Sequence, residues 1–150
     1  MDDVFRRMGG PPIDLPCFGP PTVQPVGKPA SELTVGLLAS LGVRGPDQPP
    51  FETTNDLTYR RVPPDVPGAD LVFDHETPVR WWADQDLGVA FPRDRLGELA
   101  EEGVIGRLAP VGLSILGTIS LYDRLVHETV PGILDDFTKQ DVDLVLLVPF

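Results

Sequence analysis

Apolar and polar positions form short, separate patterns through most of the chain and almost none in the first thirty residues. Leu33-Thr34-Val35-Gly36-Leu37-Leu38-Ala39 is apolar and partly β-branched, and Gly42 and Gly45-Pro46 close it. That run predicts a strand at about 33–40. A polar loop follows from Arg44 to Asn55. Residues 57–62 and 70–73 predict two short strands, the first stopped by Pro63, Pro64 and Pro67. His75 to Pro92 holds large side chains without a period and reads as irregular. Pro92 then opens a helix at about 93–102, where Leu96, Leu99 and Ala100 share a face and Gly103 is a natural stop. Residues 104–111 read as a strand and 112–117 as a turn. Ile119, Tyr122, Val126, Val130, Ile133 and Phe137 step by three or four, which predicts an amphipathic helix kinked or broken at Pro131-Gly132.

The chain closes on the run Val142-Asp143-Leu144-Val145-Leu146-Leu147-Val148-Pro149-Phe150. A near-continuous apolar run behind a helix is the mark of a parallel strand covered on both faces. Strands and helices alternate in the second half. The predicted fold class is therefore α/β, a layered, Rossmann-like domain with a parallel sheet over 31–150. Residues 1–30 carry Pro11, Pro12, Pro16, Pro20, Pro21, Pro25 and Pro29 and predict an extended, Pro-rich arm whose Ile13, Leu15, Phe18 and Val23 lie on a neighbouring surface.

Charge sharpens this division. The net charge is −11, and residues 68–150 hold 15 of the 23 acidic side chains but only six of the 12 basic ones. Such a field repels phosphate, so neither nucleic acid nor an anionic membrane is an expected partner. No apolar run approaches the ~20 residues of a membrane span. Met1-Asp2-Asp3 opens acidic with no apolar stretch behind it, so the expected location is the cytoplasm. One cysteine, Cys17, excludes an internal disulfide and a multi-cysteine zinc site, and no metal is expected.

Few residues carry chemistry by pattern alone. His75, between Asp74 and Glu76, has a carboxylate neighbour that can hold an imidazole tautomer. Asp84 and Asp86 either join it or form a solvated acidic loop. His127 lies within the amphipathic helix and reads as structural. Ser114, Gly117 and Thr118 join a strand to a helix, where they serve either as caps or as an anion cradle; no lysine follows the glycines, so this is not a P-loop. Cys17 has no evident activating neighbour.

Several blocks in order resemble the glycine/sarcosine/betaine reductase selenoprotein B family, which includes the selenocysteine subunit of D-proline reductase. They are Leu33–Leu38, Gly45-Pro46-Asp47-Gln48-Pro49-Pro50-Phe51, Tyr59-Arg60-Arg61-Val62-Pro63 and Asp74-His75. The strongest runs from Asp86 to Leu96 and on through Glu102-Gly103-Val104-Ile105-Gly106; Gly117, Pro131 and Val142–Leu146 follow. The resemblance covers about residues 28–150, the N-terminal part of such a subunit. It implies an oxidoreductase that cleaves a C–N bond of an amino acid or amine reductively, of the class that acts on X–H and Y–H to form an X–Y bond with a disulfide as acceptor. A pyruvoyl group on a partner subunit activates the amine, a selenolate or thiolate attacks, and a selenoprotein A-like subunit accepts the product. No cofactor is implied in this chain itself.

In that family the reactive selenocysteine or cysteine follows the strand matched here by residues 143–149, and this sequence has none. The expectation is a chain incomplete at its C-terminus, ended at a UGA codon after Phe150 and lacking its redox residue. An uncovered strand at 143–150 would self-associate, which makes a homo-oligomer an expectation. The alternative is a non-catalytic α/β binding or scaffold module for a small anionic ligand at Ser114, Gly117 and Thr118.

Overall fold

The computed structural model describes residues 19–22, 24–78 and 80–150. The expected packing of Ile13, Leu15, Phe18 and Val23 and the setting of Cys17 lie outside the described residues. From Gln24 to Lys28 the path is irregular and exposed, and Lys28 Nζ pairs with Asp143 Oδ1 at 2.7 Å.

The fold is α/β, with a mixed, mostly parallel sheet. Its central strand is β1, Thr34–Ala39, buried along almost its whole length. On one edge it pairs in parallel with β7, Leu144–Val148. On the other it pairs in parallel first with β5, Arg107–Leu108, and then with β6, Gly112–Ser114. β3, Arg60–Val62, extends the sheet antiparallel to β6. A separate ladder joins β2, Val43–Arg44, to β4, Val72–Phe73.

Helices pack against the sheet where the sequence supplies apolar faces. α1 is Arg80–Gln85, α2 is Arg93–Glu101, α3 is Tyr122–Arg124 and α4 is Val130–Lys139. Val35, Leu37 and Ala39 share a core with Phe91 and with Leu96 of α2. Leu38 faces a second core, built from Leu113, Ile133 and Phe137 of α4, Val142 and Val145. Asp136 pins α4 to the sheet: it accepts a hydrogen bond from Tyr59 Oη at 2.8 Å and pairs with Arg61 of β3 at 2.6 Å.

The sequence reading needs four corrections. First, residues 80–85 form a helix although their pattern shows no period; the segment is too short to display one, and only Ala83 is buried. Second, residues 112–114 are a buried strand, not a turn. Gly112 is there because a Cβ would stand 2.8 Å from the Phe91 ring, a packing demand that looks like a turn signal in sequence. Third, the helix yields before Pro131-Gly132 rather than at it. Pro131 lacks the N–H that would bond back to His127, and the turn Leu125–Thr129 widens into a π-helical one. Val126 of the predicted stripe consequently faces solvent. Fourth, β7 is parallel but, among the described residues, not covered on both faces: Leu144, Leu146 and Leu147 are exposed. The doubly covered strand is β1.

Two glycines test this packing. A Cβ on Gly36 of β1 would meet Phe137 Cε1 at 2.8 Å and Val142 Cγ1 at 3.0 Å, whereas one on Gly97 of α2 meets nothing within 4 Å. Denaturant unfolding of Gly36→Ala is expected to show a loss of about 1–3 kcal/mol. Gly97→Ala is expected to gain about 0.5–1 kcal/mol through helix propensity.

The Asp136 contacts predict a pH dependence. The hydrogen bond from Arg61 comes first among the causes that hold the Asp136 carboxyl below its ordinary range. A depressed carboxylate pKa contributes stability above the unfolded-state value, and that contribution is lost as pH falls through the folded-state value. Acid titration of Asp136→Asn, followed by thermal melting, is expected to show a shallower loss of Tm below about pH 4 than the parent chain.

Candidate functional site at the carboxyl edge of the sheet

In open parallel sheets the crevice at the carboxyl ends of the strands is the usual ligand site. Three segments leave the sheet there. β1 leads into Ser40, β6 into Ile115–Thr118, and β7 into Pro149-Phe150. Main-chain bonds knit the three together: Ser40 N–H donates to Val148 O at 3.1 Å, Ile115 N–H to Ala39 O at 2.9 Å, and Gly42 N–H to Ile115 O at 2.9 Å. Ser40 also holds the last residue, its Oγ accepting from Phe150 N–H at 2.9 Å.

A cavity of about 460 Å³ opens at this edge, lined by Ser40, Leu116, Gly117, Tyr122, Phe150 and their apolar neighbours. Among the described residues no charged side chain lines it.

His75 stands behind the same wall. Its N–H donates to Leu41 O and that of Asp74 to Gly42 O, each at 3.1 Å, which fixes the backbone against the end of β1. Asp74 is held in turn by Arg44, with Nε to Oδ2 at 2.8 Å and Nη2 to Oδ1 at 3.2 Å, and it accepts from Phe51 N–H at 2.8 Å. Such a two-point guanidinium–carboxylate pair fixes orientation as well as charge. His75 is 9% exposed. Its Nε2 lies 2.9 Å from Thr118 Oγ1, and its Nδ1 is buried without a hydrogen-bond partner.

Gly117 makes this approach feasible. A Cβ there would collide with His75 Cε1, stand 2.7 Å from Nδ1 and 3.0 Å from Ser40 O. Asn55 supports the loop from outside. Its N–H donates to Thr118 O at 2.7 Å, and its Oδ1 accepts from Ser120 N–H at 2.7 Å. Asn55 adopts φ 54°, a region asparagine tolerates better than most residues.

The structure brings His75, Gly117 and Thr118 together and leaves the other sequence candidates elsewhere. Ser114 is fully buried at the end of β6, and its Oγ accepts from Val43 N–H at 2.6 Å. Asp84 lies on α1, half-exposed and 3.7 Å from Arg80. It lines a separate cleft of about 830 Å³ between β4 and α2 that shares no residue with the carboxyl-edge cavity. The charges in that larger cleft are engaged locally: Asp86 accepts from Gly88 N–H, and Arg93 pairs with Asp94 and donates to Pro63 O. His127 is exposed and donates from Nδ1 to Asp123 O. Among the described residues no three His, Cys, Asp or Glu side chains are grouped as a metal site would need, and no helix is long and apolar enough to cross a membrane. Sequence reading missed Ser40, Arg44 and Asn55. For Arg44 and Asp74 the only signal was charge inside otherwise apolar strand ends.

No family model matches the chain, and no solved structure matches it. Over 135 residues it is 30% identical to D-proline reductase subunit gamma of Acetoanaerobium sticklandii, which covers 90% of this chain. The chain is a distant relative of that reductase subunit. It spans 56% of the relative's length, little more than half. At 90% coverage the matched stretch takes in His75, Gly117 and Thr118 wherever its ends fall.

Two variants test the construction of the edge. Gly117→Ala forces the imidazole or the end of β1 to move and is expected to cost about 1–3 kcal/mol in denaturant unfolding. Asp74→Ala leaves Arg44 uncompensated in a mostly buried position and is expected to cost about 2–4 kcal/mol. It should also broaden the His75 ring signals in NMR spectra, whereas an unperturbed ring would show that the Arg44–Asp74 pair does not hold it.

Proposed function

We propose that the chain is the N-terminal part of a reductase subunit of the selenoprotein B and D-proline reductase type. In this reading the nucleophile that cleaves the substrate C–N bond is a selenocysteine or cysteine carried beyond Phe150. The observation that carries the reading is the position of the β7 end. Ser40 grips Phe150 at the carboxyl edge of the sheet, at the rim of an uncharged cavity with a buried histidine behind it. A residue following Phe150 would emerge where α/β folds keep their chemistry. The distant relationship to D-proline reductase subunit gamma supports a reductase-related role.

The residues in hand then have definite tasks. The cavity wall is largely apolar, so a thiolate or selenolate set against it would be less solvated and a stronger nucleophile. Ser40 fixes the chain that leads to it. Activation of the substrate amine falls to a pyruvoyl-bearing partner subunit, and the oxidised product passes to a selenoprotein A-like acceptor.

The alternative, a binding module with an anion cradle at Ser114, Gly117 and Thr118, has less support. The Ser114 hydroxyl is spent on Val43 and that of Thr118 on His75, and the cavity carries no cation.

Sequencing the gene past the Phe150 codon tests the reading. A UGA codon followed by an open frame with a nearby cysteine, or a directly encoded cysteine, is the expected result. Another stop codon with no downstream frame would overturn it.

A further inference from the structure

Among the described residues β7 is the open edge of the sheet. Its one ladder is with β1, in register from Val35 opposite Leu144 to Ala39 opposite Val148. Along a strand, successive residues direct their backbone N–H and C=O to alternate edges. The last bond of this ladder fixes which edge is which: Ser40 N–H donates to Val148 O at 3.1 Å. Leu144, Leu146 and Val148 therefore direct their backbone groups at β1. Val145 and Leu147 direct theirs outward, where no described strand pairs with them. The bonds on the far edge of β1 agree, since it is Leu33 O, Val35 O and Ala39 O that accept from Arg107, Ala109 and Ile115.

An edge of this kind pairs with another strand unless something guards it. β7 has no guard. Residues 144–150 carry no charged side chain, and the first proline is Pro149. The ladder runs from 144 to 148 without a bulge. Asp143, at its start, is already engaged by Lys28 Nζ at 2.7 Å and by Thr34 N–H at 3.0 Å. Both faces of the strand are apolar. Val148 packs into the core that holds Leu96, with Leu144 and Leu146 on its side of the strand; Val145 packs into the second core, with Leu147 on its side. Leu147 is 64% exposed.

The pattern is complementary to itself. Set antiparallel to a second copy and centred on Leu146, β7 brings Val145 opposite Leu147 and Leu147 opposite Val145, and each pair exchanges both N–H···O bonds. Leu146 then faces its own counterpart at a Cα separation of about 4.5 Å. The neighbouring registers are worse. One sets Leu147 against Asp143, whose N–H already serves Thr34 O at 3.0 Å. The other sets Val145 against Pro149, which has no N–H to give.

We propose that β7 is a dimer interface, joining two copies of this chain through an antiparallel β7–β7 ladder into one continuous sheet. Such a two-fold contact uses the same patch on both subunits. Leu144 and Leu146 of both copies extend the first core across the axis, and Leu147 extends the second. Gln24–Lys28 lie against Asp143, Leu144 and Val145 and flank the start of the ladder. An interface confined to one strand is smaller than the roughly 800 Å² per partner of a stable complex, so the dimer dissociates on dilution. The inference does not rest on the reductase reading.

Sedimentation equilibrium of the full chain over a concentration series tests it. A reversible monomer–dimer equilibrium is expected. Leu147→Lys enters the dimer twice and is expected to weaken it about tenfold or more. Leu147→Pro removes an outward N–H and no bond to β1, and is expected to act in the same direction. Leu134→Lys, on the exposed face of α4, is expected to leave the equilibrium unchanged. In a Cys17→Ser background, Leu146→Cys is expected to give a disulfide-linked dimer on mild oxidation and Leu144→Cys is not, because only position 146 meets itself. A chain that stays monomeric at every concentration would overturn the proposal. Slow exchange of the Val145 and Leu147 amides in that monomer would show the edge closed within the chain, and fast exchange would show it open. A dimer that is indifferent to Leu147→Lys, or that cross-links equally well through position 144, would also overturn it.

Discussion

β1 is hydrogen-bonded on both edges and covered on both faces, and that fact places β5, β6 and β7. Its pairing with β7 runs from Val35 to Ala39 without a break, so the direction in which β7 leaves the sheet is fixed by β1. Its other edge is shared between β5 and β6, which puts the 115–118 loop beside Ser40. The carboxyl edge is thus a consequence of one strand satisfying its backbone groups. In a buried strand these groups have no other partners available.

The close approach of helix and loop to this strand depends on missing side chains. Gly36 lets Phe137 lie on β1, Gly112 lets Phe91 lie on β6, and Gly117 lets His75 reach the edge. Gly36 and Gly112 lie within strands, where glycine is conformationally unfavourable, and the compensation at both is tight packing of an aromatic ring. The polar ties are fewer but directional. Arg44–Asp74 and Arg61–Asp136 each join elements far apart in sequence, the first setting the position of His75 and the second that of α4.

Much of this was legible from the sequence. The runs 33–40 and 93–102 and the apolar end of the chain have periods long enough to read, and they correspond to β1, α2 and β7. The segments that misled are those where tertiary packing overrides a local signal. Gly112 reads as a turn residue but serves the Phe91 ring. Pro131 reads as a break, yet the backbone adjusts one turn earlier. β7 reads as doubly covered because it is uniformly apolar, whereas among the described residues nothing covers Leu144, Leu146 and Leu147. At the site, His75 and the Gly117-Thr118 pair were each visible as residue types, but nothing in their spacing of some forty positions shows that they meet. Ser40 and Asn55, whose roles are to hold backbone, carry no sequence signal at all.

At the carboxyl edge His75 Nε2 lies 2.9 Å from Thr118 Oγ1, and Nδ1 is buried without a partner among the described residues, which places the ring proton on Nε2. Long-range ¹⁵N–¹H correlation spectra of the imidazole read this directly. The expected result for His75 is a pyrrole-type Nε2 and a pyridine-type Nδ1, with Nε2–H protected from exchange by Thr118. A pyrrole-type Nδ1, or a ring whose two tautomers interconvert freely as they do in water, would contradict it.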